Sequence, residues 1–170
     1  MSFFITTPIY YVNDVPHIGH AYTTIACDIF SRFNKLKNED TFFLTGTDEH
    51  GQKVEKAALA QNKDTQIFVD EMSNNFRELV PYLGCDNDDF IRTTDKKHIS
   101  AAQFLWNKLK SNNQIYLSNY EGWYSIRDEA FYQESELTKT ENGFVAPSGA
   151  TVEWGKEESY FFKLSGWETG

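Results

Sequence analysis

Three short segments with strand chemistry, each followed by a segment of helical period, constrain this fold more than anything else in the chain. Residues 3–7 are aromatic or β-branched, read as a strand, and stop at Pro8. A loop through Asn13, Asp14 and Pro16 leads into residues 18–37, where Ile25, Ile29, Phe33 and Leu36 recur as the apolar side of an amphipathic helix. Residues 41–44 are a second predicted strand, and the polar run Thr45-Gly46-Thr47-Asp48-Glu49-His50-Gly51 reads as the loop at its carboxyl end. Helices are predicted over residues 52–61 and 65–83. The second carries Phe68, Met72, Phe76, Leu79 and Leu83 on one face, with Gly84 placed to end it. Residues 89–92 read as a third strand, with Thr94 or Asp95 capping a helix that carries Ile99, Ala102, Trp106 and Leu109. Strands that alternate with helices build a parallel α/β sheet, and ligands of such sheets sit beyond the carboxyl ends of the strands. Both polar motifs, residues 8–20 and 45–51, follow strands, so they are predicted to meet at one crevice.

From about residue 115 the texture changes to closely spaced aromatics, among them Tyr116, Tyr120, Trp123, Phe131, Phe144, Trp154 and Tyr160, with turn signals between them. Asn142-Gly143 is a hairpin dipeptide, and a separate, mostly antiparallel β region is expected. Its aromatics either form the core of a small sheet, the plainer reading, or offer a base-stacking surface. The net charge of −9 argues against indiscriminate nucleic-acid binding. Cys27 and Cys85 are far apart, so inert thiols are expected and no disulfide framework. No apolar run is long enough to span a membrane and the start lacks a signal-type segment, which makes the cytoplasm the expected location.

His17-Ile18-Gly19-His20 places two imidazoles on one face at the start of a predicted helix. A helix start favours anions through its free N–H groups and dipole, and a bare glycine lets something flat approach the backbone. A phosphate chain gripped by the histidines is therefore the leading reading. The rival is a metal site built from His17, His20, Asp48 and His50, although such a site gives Gly19 no role.

Three segments together carry a resemblance: Pro8-Ile9-Tyr10-Tyr11-Val12-Asn13, His17-Ile18-Gly19-His20, and Phe42-Phe43-Leu44-Thr45-Gly46-Thr47-Asp48-Glu49-His50-Gly51. They resemble the N-terminal part of the methionyl-tRNA synthetases, with the second segment matching the HIGH motif of class I aminoacyl-tRNA synthetases. The likeness continues through Tyr120-Glu121-Gly122-Trp123-Tyr124 and residues 159–165. It implies an α/β fold: residues 1–114 as the first half of a Rossmann-like, parallel-sheet nucleotide-binding domain, and residues 115–170 as a mostly β connective-peptide insertion. The implied reaction is ATP-dependent activation of L-methionine to methionyl-adenylate, then transfer to tRNA(Met). The implied partners are ATP with Mg2+, L-methionine and tRNA(Met), with neither DNA nor a membrane involved. By the same resemblance His17 and His20 act catalytically on the phosphates. Tyr11, Asn13 and Gly19 join them in holding ATP, with Gly19 giving room for adenine or ribose. Ile9, Tyr11 and Asp48 hold methionine, with Asp48 anchoring the ammonium. Asp48 could equally cap the following helix, and Ile9 could be strand-end core.

The sequence departs from the family's pattern in two places. Many members carry a zinc knuckle of paired cysteines in the insertion. Here Ser125 and Asp128 stand where cysteines would be and residues 146–150 hold none, so no structural zinc is expected, and aromatic packing with strand pairing is expected to hold that region. The lysine-rich KMSKS-type loop and the anticodon-binding domain are also missing, so the chain is expected to be a truncated N-terminal portion, inactive alone. The alternatives are a free-standing ATP or methionine binding module, or a nucleotidylyltransferase sharing the His-x-Gly-His signature.

Overall fold

A computed structural model describes residues 2–140 and 143–168. The chain divides into two compact units, Met1–Gln103 and Phe104–Gly170. The first contains β1 (Ser2–Thr6), β2 (Tyr10–Tyr11), α1 (Ile18–Leu36), β3 (Asp40–Asp48), α2 (Gln52–Ala60), α3 (Thr65–Tyr82) and β4 (Asp89–Arg92). Helix α4 (Lys96–Ser111) runs across the division.

Strand β3 organises the first unit. It pairs in parallel with β1, with β2 and with β4, in registers that set Thr6 against Leu44, Tyr11 against Asp48 and Thr47 against Arg92. The expected parallel sheet is thus present, but β3 does not stop at Leu44. The polar run through Asp48 is strand, where the sequence suggested loop. The reason lies in its hydroxyls. Thr45 and Thr47 are buried, and each has a partner: Thr45 Oγ1 lies 2.7 Å from Thr7 Oγ1, and Thr47 Oγ1 lies 3.0 Å from Ser73 Oγ. A buried polar strand is tolerated when its groups are hydrogen-bonded. The two-residue β2 was too short to be visible as a pattern. The core below the sheet gathers Tyr10, Val12, Val54, Ala58, Phe68, Val69, Phe76 and Phe90. Gly84, at φ +70°, closes α3 as expected.

Helix α1 has the expected span and the opposite orientation. Its buried residues are Ala21, Thr24, Cys27, Asp28, Ser31 and Asn34, while Ile25, Ile29, Phe33 and Leu36 are exposed. Specific bonds hold the polar side inward. Thr24 meets the Tyr10 hydroxyl at 2.8 Å. The Asp28 carboxylate accepts the Asp86 amide at 2.8 Å and Arg32 Nε at 2.6 Å, and Arg32 also donates to the Gly84 carbonyl. Small side chains there let the helix approach the strands closely, so periodicity located the helix but assigned its inner face wrongly. Helix α4 departs too. None of its residues is buried, so Ile99, Ala102, Trp106 and Leu109 do not make a core face. Of the two capping candidates Asp95 directly precedes the helix, its carbonyl accepting the Ile99 amide at 3.0 Å and its carboxylate the Arg92 amide, whereas the Thr94 hydroxyl donates to Glu49. Both cysteines are free, Cys27 buried and Cys85 half-buried.

In the second unit β5 (Ile115–Ser125), β6 (Ala130–Tyr132) and β9 (Glu153–Phe162) form an antiparallel sheet in the order β6-β5-β9, and β7 (Thr138–Thr140) pairs antiparallel with β8 (Gly143–Val145). Asn142 of the predicted hairpin dipeptide lies outside the described residues. Only part of the aromatic set forms the core of the region. Trp123, Tyr132 and Phe144 pack on Ala146, Ala150 and Val152, whereas Tyr116, Tyr120, Trp154 and Tyr160 are exposed. Aromatic packing and pairing are supplemented by a polar cluster. Asp128 accepts from the Ser148 hydroxyl and from Tyr132 Oη at 3.1 Å, and its amide donates to Ser125 Oγ at 3.2 Å.

Candidate active site

The start of α1 is capped by its own two histidines. His17 is the N-cap residue, in extended backbone, and its Nδ1 accepts the Gly19 amide at 3.1 Å. His20 Nδ1 accepts the His17 amide at 3.1 Å in return. The rings lie 3.9 Å apart, centroid to centroid. This exchange has the form of a capping box, with imidazoles in place of the usual Ser and Glu. It also fixes both tautomers. A nitrogen that accepts carries no proton, so each neutral ring holds its proton on Nε2 and keeps that group as a donor.

Two expectations change here. The amides of His17 and Gly19 are engaged in the cap, so an anion at this helix start would meet imidazole N–H groups more than backbone N–H groups. And the bare Cα of Gly19 also makes room for the His17 ring: a Cβ at residue 19 would stand 2.9 Å from His17 Cε1. Burial, and then the neighbouring His17, lowers the pKa of His20 below its ordinary 6.5. A lowered histidine pKa favours the neutral ring in the folded chain. Its contribution to stability is therefore complete above pH 6.5 and is lost as pH falls through the lower folded value. The melting temperature should drop on acidification below pH 6.5, and His20→Gln should flatten that part of the profile. An identical profile in the variant would count against this account.

The second half of the site is the carboxyl end of β3. Tyr10 is buried, its ring 4.8 Å from the His20 ring and 5.5 Å from Phe76, and its hydroxyl donates to the His20 carbonyl. Its neighbour Tyr11 stands in register with Asp48. The short β2 thus joins the histidine pair to the end of β3. Asp48 is half-buried at the last position of that strand. It does not cap α2, whose N-cap is Gly51 and has no side-chain cap bond. Gly51 holds φ +113°, a conformation that favours glycine, and it lies against the Tyr11 hydroxyl, which a Cβ there would have to displace. Ile9 and Asn13 flank β2 and are both exposed, which removes the strand-end core reading for Ile9.

Between Asp48 and His50 lies a group that pattern reading passed over. The Glu49 side chain is 0% exposed and is forked onto Arg92, with Nε to Oε1 at 2.7 Å and Nη2 to Oε2 at 2.9 Å. Burial pushes the Glu49 carboxyl up, but the bonds from Arg92, Thr94 and Thr47 outweigh it and hold it below the usual range. The Glu49 bond likewise holds Arg92 above its ordinary range. The Thr93 hydroxyl accepts the Glu49 amide at 2.9 Å and meets His50 Nδ1 at 3.0 Å. The available signal was an arginine at the end of β4, level with Thr47. Among the described residues no group of three or more His, Cys, Asp or Glu side chains could hold a metal ion, so the rival metal cluster is not assembled.

A family model described as tRNA synthetases class I (M) matches residues 3–141. The chain belongs to the methionyl-tRNA synthetase family of class I. It is 58% identical over 98% of its length to a methionine--tRNA ligase of Rickettsia bellii and 47% identical to that of Mesorhizobium japonicum. A crystal structure of Mycobacterium tuberculosis methionyl-tRNA synthetase bound by methionyl-adenylate superimposes with a TM-score of 0.89 at 43% identity, covering 98% of this chain and 33% of that one. The chain spans 32% of the length of the Rickettsia relative. Within the family's Rossmann-type catalytic fold, the structure brings His17, Gly19, His20, Tyr11 and Asp48 to one end of the first unit. No helix among the described residues is long and apolar enough to cross a membrane.

Proposed function

We propose that this chain supplies the methionine-activating site of a methionyl-tRNA synthetase: ATP and L-methionine give methionyl-adenylate and pyrophosphate, and the methionyl group then passes to tRNA(Met) in the cytoplasm. On this reading residues 1–114 are the first half of the catalytic domain and residues 115–170 the connective insertion. The observation that carries it is β2, which sets Tyr10 against His20 and, one residue on, Tyr11 level with Asp48. Tyr10 and Tyr11 thus link the histidine pair of α1 to the end of β3, which supports reading the two as neighbouring parts of one site.

The methionine carboxylate attacks the α-phosphate and pyrophosphate leaves, so the protein's work is positioning and stabilising charge. His17 and His20 donate from Nε2 to phosphate oxygens whose charge grows in the transition state. Asn13 and Gly19 complete the ATP contacts. Asp48 pairs with the ammonium, while Ile9 and the Tyr11 ring face the thioether. Magnesium accompanies the triphosphate as part of the substrate, and among the described residues no cluster of three or more His, Cys, Asp or Glu stands ready to hold it. The Asp128 cluster, with Ser125, Ser148 and Tyr132, supports a zinc-free insertion. The test is amino-acid-dependent ATP–pyrophosphate exchange by the full-length synthetase carrying this chain, screened over methionine, isoleucine, leucine and valine. Exchange driven by methionine well above the others is expected, and exchange without amino-acid dependence would reject the reading.

A further inference from the structure

The Glu49–Arg92 pair is an unusual thing to build beside a ligand site for stability alone. A buried carboxylate and a half-buried guanidinium lose hydration, and apolar side chains of similar size often serve a fold as well or better. What the pair supplies is geometry. Glu49 Oε1 accepts from Arg92 Nε and from Thr47 Oγ1, at 2.7 and 2.8 Å. Oε2 accepts from Arg92 Nη2 at 2.9 Å and from the Thr94 hydroxyl. Four donors thus occupy the two oxygens, which is near the capacity of a carboxylate. Thr47 is held a second time by Ser73, and its carbonyl accepts the Thr93 amide at 3.2 Å. Arg92 is held a second time by Asp70. The residues on both sides of Asp48, namely Thr47 and Glu49, are therefore tied to β4 and α3. The Asp48 carbonyl is tied to the Val12 amide just beyond β2, at 3.4 Å.

We propose that the Glu49–Arg92 fork is a positioning clamp for amino-acid recognition: it fixes the backbone on either side of Asp48 so that the Asp48 carboxylate meets the substrate's α-ammonium. The proposal rests on the methionine-activating reading above. Glu49 and Arg92 touch no substrate; they act through Asp48. A planar fork is required, because a lysine at residue 92 would keep the charge and lose the second bond. The clamp serves only the ammonium end of the ligand, which separates it from a general structural role.

The experiment compares Glu49→Gln, Arg92→Lys, Thr94→Val and Asp48→Ala in the full-length synthetase by ATP–pyrophosphate exchange. Inhibition by 4-(methylthio)butanoate, which is methionine without its ammonium, is measured alongside. Glu49→Gln and Arg92→Lys should each raise the methionine KM about tenfold, the lower end of what loss of a supporting partner costs a positioned ligand group. They should leave the ATP KM and the inhibition constant of the des-amino analogue within about twofold. Thr94→Val removes one of the four donors with little change in volume, so it keeps the test alive if the charge variants fail to fold; a smaller rise in methionine KM alone is expected. A parallel loss for methionine, the analogue and ATP would overturn the clamp in favour of a purely structural pair. Unchanged methionine KM in all three, with Asp48→Ala still impaired, would overturn the clamp and leave the site reading intact. An unchanged methionine KM in Asp48→Ala would overturn both.

Discussion

Replacing Asp48 by alanine should raise the methionine KM in pyrophosphate exchange about thirtyfold, which corresponds to about 2 kcal/mol for one charge-assisted hydrogen bond at a partly exposed site. Asp48 ends β3, level with Tyr11, and α2 makes no use of it as a cap. Truncation therefore removes a ligand contact without unpicking a helix start, and the melting temperature should move little. The ATP KM should stay within about twofold, because removal of a group that binds the amino acid equally in ground and transition states acts on that substrate's KM. Asp48→Asn is the informative companion. It keeps the shape and loses the charge, so it should recover little of the affinity if ion pairing with the ammonium is the interaction. Methionine kinetics unchanged in both variants would take Asp48 out of the site.

Gly46→Ala should destabilise the first unit by about 3 kcal/mol, the upper part of the range for forcing an extra group into a packed interior. A Cβ at residue 46 would stand 2.0 Å from the Ile91 carbonyl oxygen and 2.7 Å from Ile91 Cγ2. Neither can retreat easily, because Ile91 is the register partner of Gly46 in the β3–β4 ladder. The displaced strand is the one that carries Arg92, so the loss should extend to methionine affinity. Urea unfolding measures the first effect as a lower midpoint at unchanged slope. A midpoint within error of the parent would show that β4 yields more readily than its pairing suggests.

Much of this architecture was legible from period and punctuation. Residues 18–37 and 65–83 gave α1 and α3 nearly to their ends, since a nineteen-residue and an eighteen-residue helix repeat their pattern often enough to be unmistakable. What failed was inference from hydrophobicity to burial. Ile25, Ile29, Phe33 and Leu36 mark a true helical stripe, yet Thr24, Asp28, Ser31 and Asn34 face the sheet. Their inward position depends on partners such as Tyr10 and Asp86 that are distant in sequence. Thr45 and Thr47 misled in the same way, reading as loop because their hydroxyls find partners in Thr7 and Ser73 only after folding. The candidate site was legible where a motif packs chemistry into consecutive residues, as in the paired histidines of residues 17 to 20 that the structure sets at the start of α1. It was illegible where one buried carboxylate meets an arginine from the next strand, as Glu49 meets Arg92.

The histidine cap restricts what else could stand at residues 17 and 20. Each ring accepts a backbone proton at one nitrogen while holding a donor on the far side of the same rigid plane. Asparagine and glutamine carry an acceptor and a donor too, but both spring from a single carbon and point the same way; serine offers one rotating hydroxyl. Neutral imidazole is the one ordinary side chain that faces two directions with opposite hydrogen-bonding sense. Loss of either ring would therefore remove a helix cap and a donor together, so an alanine scan at these positions would report a sum of two effects. Separating them calls for ring analogues that keep an acceptor nitrogen and lack the N–H, such as 2-pyridylalanine or 4-thiazolylalanine, in place of truncation.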